Sequence, residues 1–165
     1  MKVTNELKKI LQRKFLDTIR SIDVTQDSKF IISGSADKSI KILDIENKKQ
    51  IYHFEDAHTR WIKGISVSSD GEFIASCSDD RSIKLFDIRT KQLIHWFKNA
   101  HNGIFFIKRE VLVEIIDFIE SVVISKDCKL IVSASRDRSI KIFDIKTKQQ
   151  IHHFQDIHQG IVETD

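Results

Sequence analysis

His58, Ser76 and Asp80 are the residue types of a hydrolytic charge relay, and His101, Ser133 and Asp137 supply them a second time. In such a relay an imidazole takes the serine proton while a carboxylate holds the ring. A working site needs one nucleophile, in one cleft, beside an oxyanion hole. Here the set recurs, which points to a repeated structural network rather than to catalysis. Four other histidines, His53, His95, His152 and His153, lack the close spacing of a zinc site and read as solvated strand residues, so no metal is expected. Cys77 falls in a strand and Cys128 in a turn, so no disulfide is expected, which fits a reducing intracellular compartment, cytoplasmic or nuclear. Five scattered Gly give no phosphate-cradling loop and no Walker or Rossmann pattern. The expectation is a protein that is not an enzyme and carries no cofactor.

The elements that must position these residues repeat. Ser35–Glu46, Ser78–Arg89 and Ser135–Lys146 are three versions of one stretch, Ser-x-Asp-x-Ser-Ile-Lys-x-x-Asp-Ile-x. Ser78, Asp79 and Asp80 are turn formers whose side chains are expected to bond back to local backbone. Ile83, Leu85 and Phe86 then give a short strand-like run. Asp37, Asp80 and Asp137 lie 43 and 57 residues apart, and so do His58, His101 and His158. The unit is therefore 43 residues long, and the third copy carries 14 extra residues between His101 and Phe118. Each copy predicts four strands: Thr18–Val24, Lys29–Gly34, Ser39–Ile45 and Gln50–Phe54 in the first. The second predicts Trp61–Val67, Glu72–Cys77, Ser82–Ile88 and Leu93–Phe97, and the third Phe118–Ile124, Lys129–Ala134, Ser139–Ile145 and Gln150–Phe154. Lys41, Lys84 and Lys141 recur at one strand position, with stems expected to cover apolar surface while the ammonium reaches water.

A period of roughly 40–45 residues, with a His near its start and an aromatic-Asp pair near its end, resembles the WD40 family. The resemblance covers nearly the whole chain. It departs from the family in its dipeptides: Gly-His is Ala57-His58, Ala100-His101 and Ile157-His158, and Trp-Asp is Leu43-Asp44, Phe86-Asp87 and Phe143-Asp144. The family's Ser-Pro-Asp turn is Thr25-Gln26-Asp27, Ser68-Ser69-Asp70 and Ser125-Lys126-Asp127, with no Pro anywhere in the chain. The fold implied is all-β, with three four-stranded antiparallel propeller blades forming an open or incomplete propeller. The repeats are expected at 18–57, 58–100 and 101–157. Residues 1–17 would be an N-terminal segment holding an outer strand of a preceding blade, or a short helix, and 158–165 the start of a truncated further repeat. The extra residues fall within 102–117, at a loop the family places on its top face, and read as a tolerated insertion, a partner-docking element or a translated intron.

The resemblance also implies site residues. In this family the His, a strand Ser, the turn Asp and the Trp form a buried polar network. Its counterparts are His58, Ser76, Asp80 and Phe86 in the second unit and His101, Ser133, Asp137 and Phe143 in the third. Unit one offers Ser33, Asp37 and Leu43 with no His before it. Phe and Leu donate no indole N–H, so each network is at best a triad. Partner binding on the family's top face uses the third and fifth residues after the His and the residue before the Asp. Carried over, these are Trp61, Lys63 and Asp79, then Thr18, Arg20 and Ala36, then Phe118, Glu120 and Arg136. Asp80, Phe86, Asp87 and Arg89 resemble the box by which some WD40 proteins dock on the adaptor of a cullin-RING ubiquitin ligase.

Composition narrows the partners. Hydrophobic content of 41%, charged content of 31% and a net charge of +3 are ordinary for a globular protein. Lys and Arg alternate with Asp and Glu, which argues against nucleic acid as a partner. The start has no apolar signal region, and no apolar run reaches the roughly 18 residues of a membrane helix. The function expected is a non-catalytic scaffold for protein–protein interactions, with a ubiquitin-ligase substrate receptor and a ribonucleoprotein or RNA-associated subunit as alternatives. Propellers close with about 4–8 blades, so a three-blade chain is expected to be a fragment or truncated paralogue, or to self-associate through its open blade edges.

Overall fold

Each polar turn in the sequence becomes a hairpin, and each alternating run between turns becomes a strand. In the computed structural model, which describes residues 18–101, 105–108, 111–114 and 118–157, the strands in chain order are β1 (Ile19–Val24), β2 (Phe30–Ser35), β3 (Ile40–Asp44), β4 (Lys49–Phe54), β5 (Ile62–Val67), β6 (Phe73–Ser78), β7 (Ile83–Asp87) and β8 (Leu93–Phe97). They continue with β9 (Phe105–Lys108), β10 (Val111–Glu114), β11 (Ile119–Ile124), β12 (Leu130–Ser135), β13 (Ile140–Asp144) and β14 (Gln150–Phe154). There is no helix among the described residues. Three four-stranded antiparallel sheets result, β1–β4, β5–β8 and β11–β14, each ordered as in the sequence. The expected strands agree with these to within a residue or two at their ends, the usual uncertainty of strand limits.

No Pro stiffens the turns between first and second strands; hydroxyl and carboxylate do the work. Thr25 Oγ1 accepts the Phe30 amide at 3.0 Å and donates to Asp27 at 2.7 Å. Ser68 repeats this with Phe73 and Asp70, and Ser125 with Leu130 and Asp127. The residue after each turn Asp lies in the left-handed region: Ser28 at φ 58°, Gly71 at 72° and Cys128 at 58°.

A single sheet has no interior, so the core lies between sheets. One apolar cluster joins the first and second blades through Ile32, Ile40, Ile42, Phe54, Ile62, Ile65, Ile74 and Phe86. Another joins the second and third through Ala75, Cys77, Ile83, Leu85, Phe97, Ile119, Val122 and Phe143. The inner strands β1, β5 and β11 are neighbours, and their side chains cross the gaps. Ser21 Oγ and Asp23 Oδ2 accept the amides of Ile65 and Val67 at 3.0 and 2.7 Å, and Ser66 Oγ accepts that of Ile124 at 3.0 Å. The middle blade is thus buried on both faces and its neighbours on one.

The insertion pairs with itself. β9 and β10 form a two-stranded antiparallel sheet of their own, with Lys108 opposite Val111. The expectations for 1–17 and 158–165 lie outside the described residues.

A candidate partner-binding face

The polar network forms as triads. Asp80 Oδ2 accepts from the His58 ring Nδ1 at 2.9 Å and the Thr59 amide at 3.0 Å. Its Oδ1 accepts from the Ser82 amide at 3.0 Å and hydroxyl at 2.6 Å. With Nδ1–H given to the carboxylate, His58 Nε2 is left to accept the Ser76 hydroxyl at 2.7 Å. His101 repeats the pattern with Asp137 at 2.9 Å, Ser133 at 2.8 Å and Ser139 at 3.0 Å. Both imidazoles and Ser76 are completely buried and Ser133 nearly so, leaving no path for a substrate carbonyl to either hydroxyl. The order of atoms is that of a relay, but the setting is a packed interior. In the first blade Asp37 binds the Ser39 amide and hydroxyl at 2.8 and 2.6 Å, and no His side chain bonds to it among the described residues. Phe86 and Phe143 hold the aromatic position as buried rings, 4.8 Å from Phe54 and Phe97 respectively.

Two expectations need correction. The lysine ammoniums of the second and third blades do not reach water. Lys84 and Lys141 are buried, and their Nζ atoms donate to the carbonyls of Ala57 and Ala100 at 2.5 and 2.7 Å. Each therefore ties down the residue just before a triad His, and burial pulls both ammoniums below their ordinary pKa. Nor does Asp79 bond back to its own turn, as Ser78 and Asp80 do to the Asp80 and Ser82 amides. It points away, toward Lys63, its Oδ1 3.6 Å from the ammonium.

Lys63 leads to the other predicted set. Main-chain bonds hold its members in pairs: the Asp79 amide donates to the Trp61 carbonyl, Arg136 to Phe118 and Ala36 to Thr18, at 3.0, 3.1 and 2.9 Å. Arg20, Lys63 and Glu120 share a further feature. Each is the extra residue where the first strand's register slips against the second, between Ile19 and Ser21, Ile62 and Gly64, and Ile119 and Ser121. A bulge re-aims the side chain at that point. The result is one cluster drawn from three blades. The Arg20 guanidinium lies over the Trp61 ring at 4.7 Å, and Lys63 and Arg136 lie over Phe118 at 5.3 and 5.5 Å. Glu120 joins them, pairing with Lys63 at 3.3 Å and with Arg136 at 2.5 Å.

The cluster opens on a cavity of about 500 Å³ lined by Trp61, Lys63, Asp79, Phe118 and Arg136, with Lys38, Thr59 and Arg60 at its side. Asp79 is buried, its Oδ1 accepts no hydrogen bond among the described residues, and burial raises its carboxyl above the ordinary range despite Lys63. Trp61 and Phe118 are half-buried and Arg20 and Arg136 exposed. Ala36 is fully buried and contributes nothing to the surface. Lys38, Thr59 and Arg60 were not expected. Their signal was positional: two of them directly follow a triad His, and Lys38 occupies a turn site at φ 75° whose carbonyl accepts the His58 amide.

The residues of the adaptor-like box are separated by burial. Asp80 serves its triad and Phe86 the core between blades. Asp87 accepts the Thr90 amide at 2.6 Å in its own hairpin, and Arg89 alone is exposed.

Comparison with known proteins fits this architecture. The family model "WD domain, G-beta repeat" matches residues 7–44, 48–87 and 116–144, together more than half of the chain. No curated protein matches. Among solved structures, that of the RRP9 WD40 repeats is similar at a TM-score of 0.70 and 19% identity, over 84% of this chain and 38% of that one. The structure of U3-55K is similar at a TM-score of 0.70 and 18% identity, over 84% and 39%. The chain thus spans less than half the length of these structures, and at such identities the likeness concerns the fold alone. The thrice-copied unit, its four-stranded sheets and the family match over three segments agree: the chain belongs to the WD40 repeat family, whose domains generally serve as protein-interaction scaffolds.

Proposed function

We propose that this chain is a non-catalytic scaffold that captures a partner protein on the face bearing Arg20, Trp61, Lys63, Asp79, Phe118, Glu120 and Arg136. The observation that carries the reading is convergence: these residues come from three sheets yet share one aromatic and ionic cluster around one cavity. Buried triads fix the turns beneath, so the cluster is presented on a rigid base. Trp and Arg are the commonest binding hot spots, and a cavity wall half-covered by its own cations gives a partner both apolar area and charge to engage. WD40 folds host many unrelated roles, so the reading rests on this site and not on the fold. The two unpaired cysteines support an intracellular setting.

The test is crosslinking capture from a cell extract followed by mass spectrometry, comparing the native chain with Trp61→Ala/Arg136→Ala. Loss of two hot-spot side chains, at about 2 kcal/mol each, should lower capture by more than tenfold while the strand signal in circular dichroism stays unchanged. Equal capture by the variant discards this face. Material retained only at low salt and released by ribonuclease would instead favour the RNA-associated alternative.

A further inference from the structure

We infer that a groove between the second and third blades holds a short acidic segment of a partner protein, with its apolar side chain in the seam and its carboxylates on three lysines at the rim. The groove lies at the opposite end of the strands from the face around Trp61, and the proposal is independent of that face.

The groove encloses about 490 Å³ where β6, β7 and β8 meet the turns of the third blade. Its apolar wall is Phe73, Leu85, Ile94 and Ile145. Leu85 is fully buried in the core between these blades, and the other three pack on that core while staying half-open. Lys129, Lys146 and Lys148 line the groove as well, and Asp144 is its one carboxylate among the described residues. Asp144 is already engaged, because its Oδ1 accepts the Thr147 amide at 2.6 Å in the turn between β13 and β14. Lys129 faces Asp127 at 3.7 Å, an exposed pair of the kind that contributes little and is easily exchanged. Lys148 reaches the Ile94 carbonyl at 3.4 Å, and the Lys146 ammonium makes no hydrogen bond among the described residues.

This charge is particular to the second seam. The same repeat builds a groove between the first and second blades, where Phe30 and Ile88 hold the places of Phe73 and Ile145. That groove, of about 380 Å³, is lined by Asp27 and Asp70 and by no cation among the described residues. Glu72 stands there where Lys129 stands here. Lys91, the counterpart of Lys148, lies over the Tyr52 ring at 5.7 Å, and Tyr52 packs on the core of the first seam. In the second seam His95 replaces Tyr52, and Ile94 takes the apolar place beside the core. Lys148 therefore has no ring beneath it among the described residues and turns to a main-chain carbonyl instead.

The arrangement of the cations selects the occupant. Size alone admits a small ligand, since small-molecule sites enclose roughly 300–1,000 Å³ with mostly apolar walls. The Ile145 amide donates to the Lys129 carbonyl at 2.8 Å, which sets Lys129 and Lys146 on either side of Ile145, with Lys148 farther along the turn. The ammoniums are thus spread along a rim and not gathered on one point. A single carboxylate head does not serve three such groups. A peptide with an apolar side chain between acidic ones does, because it buries the apolar group on Ile94 and Ile145 while each carboxylate gains a charge-assisted hydrogen bond. Opposite charge on the two surfaces also speeds their encounter and excludes basic partners.

The experiment is fluorescence anisotropy on the full chain with the fluorescein-labelled peptide Asp-Leu-Phe-Glu-Asp. The native chain should bind it, and less tightly as salt rises. Lys129→Glu/Lys146→Glu alters two exposed side chains, the first to the residue that the second repeat carries in that place, so the fold should survive, which circular dichroism checks. This variant should bind the peptide about tenfold more weakly and should bind the reversed peptide Lys-Leu-Phe-Lys-Lys instead. Lys49→Glu/Lys98→Glu, an equal change at exposed lysines outside the groove, should leave binding as it was. The peptide Asp-Ser-Ser-Glu-Asp, which keeps the charge and loses the apolar side chains, should bind about tenfold more weakly than the first. In magnetic resonance spectra the Ile94 and Ile145 amides should shift on binding. No binding up to about 1 mM, the weak limit of specific recognition, would overturn the proposal. So would equal binding by the Lys129→Glu/Lys146→Glu chain, equal binding of the serine peptide, or shifts that spare the groove. Decanoate binding more tightly than the peptide would make the occupant a small carboxylate and overturn the peptide assignment.

Discussion

Five donors converge on the Asp80 carboxylate: the His58 ring, and the amides and hydroxyls of Thr59 and Ser82. Burial pushes that carboxyl up, but the hydrogen bonds from His58, Ser82 and Thr59, joined by the imidazolium charge once acid protonates the ring, outweigh it and hold the group far below the usual range. Asp137 behaves alike and is lowered to about 2, burial again opposed by His101 and Ser139. His58 goes down from 6.5, with burial the larger cause and Asp80 opposing it. The folded protein therefore prefers ionised aspartates and a neutral His58. A lowered histidine gives stability that is complete above 6.5 and is lost as pH falls below that value and the unfolded chain takes up the proton. Lowered aspartates give stability that is complete above 3.8 and is lost as pH falls toward about 2. Urea midpoints measured from pH 8 to 3 should decline in two stages, and His58→Ala should remove the earlier one. That variant also strands the Ser76 hydroxyl and Asp80, at about 1–3 kcal/mol. A midpoint that stays flat from pH 7 to 4 would contradict a neutral His58.

At the scale of the element, hairpins were legible because their residue types repeat. Ser or Thr two places before Asp marked every first turn, and the Ser-x-Asp-x-Ser stretch marked every second one. The bulges at Arg20, Lys63 and Glu120 were not legible, since an extra residue in one strand leaves no trace in the alternation of the other. Only the resemblance brought those three residues forward, and the register shows why they join one cluster. The lysines at 84 and 141 were misread for a related reason: strand periodicity tells which face a side chain leaves, not how deep the next blade will bury it. The turn geometry supports a test. Ser28 is exposed and holds φ 58°, where its second-repeat counterpart is Gly71. Left-handed backbone costs an ordinary residue about 1–2 kcal/mol, and glycine's extra chain entropy gives back about 0.5–1. Ser28→Gly should therefore gain about 0.5 kcal/mol in urea unfolding; a loss of stability would mean that the Ser28 hydroxyl serves the fold.

For the whole molecule, stability sits in the two seams. Periodicity found the sheets but could not say that Ile19 and Ile62, alike in sequence, end at 62% and 0% exposure. That difference depends on what stands beside a blade. The seam between the second and third blades also leaves no room for an added atom. A Cβ on Gly64 would lie 2.8 Å from the Cys77 sulfur and 3.2 Å from the Val122 main-chain nitrogen. The nitrogen belongs to another blade and cannot swing aside. Gly64→Ala should cost about 1–3 kcal/mol, seen as a lower melting temperature, with the blades pushed apart. An unchanged melting temperature would show that the seam yields.

The self-paired hairpin β9–β10 bears on how much foreign sequence the molecule tolerates. It stretches the link from triad histidine to aspartate from 22 to 36 residues, yet both pairs close at the same 2.9 Å. By loop-closure entropy the longer tether costs only about 0.4 kcal/mol more. The junction after the second blade is accordingly the natural port for grafting an epitope or a tag, where cargo can be exchanged without retuning any sheet.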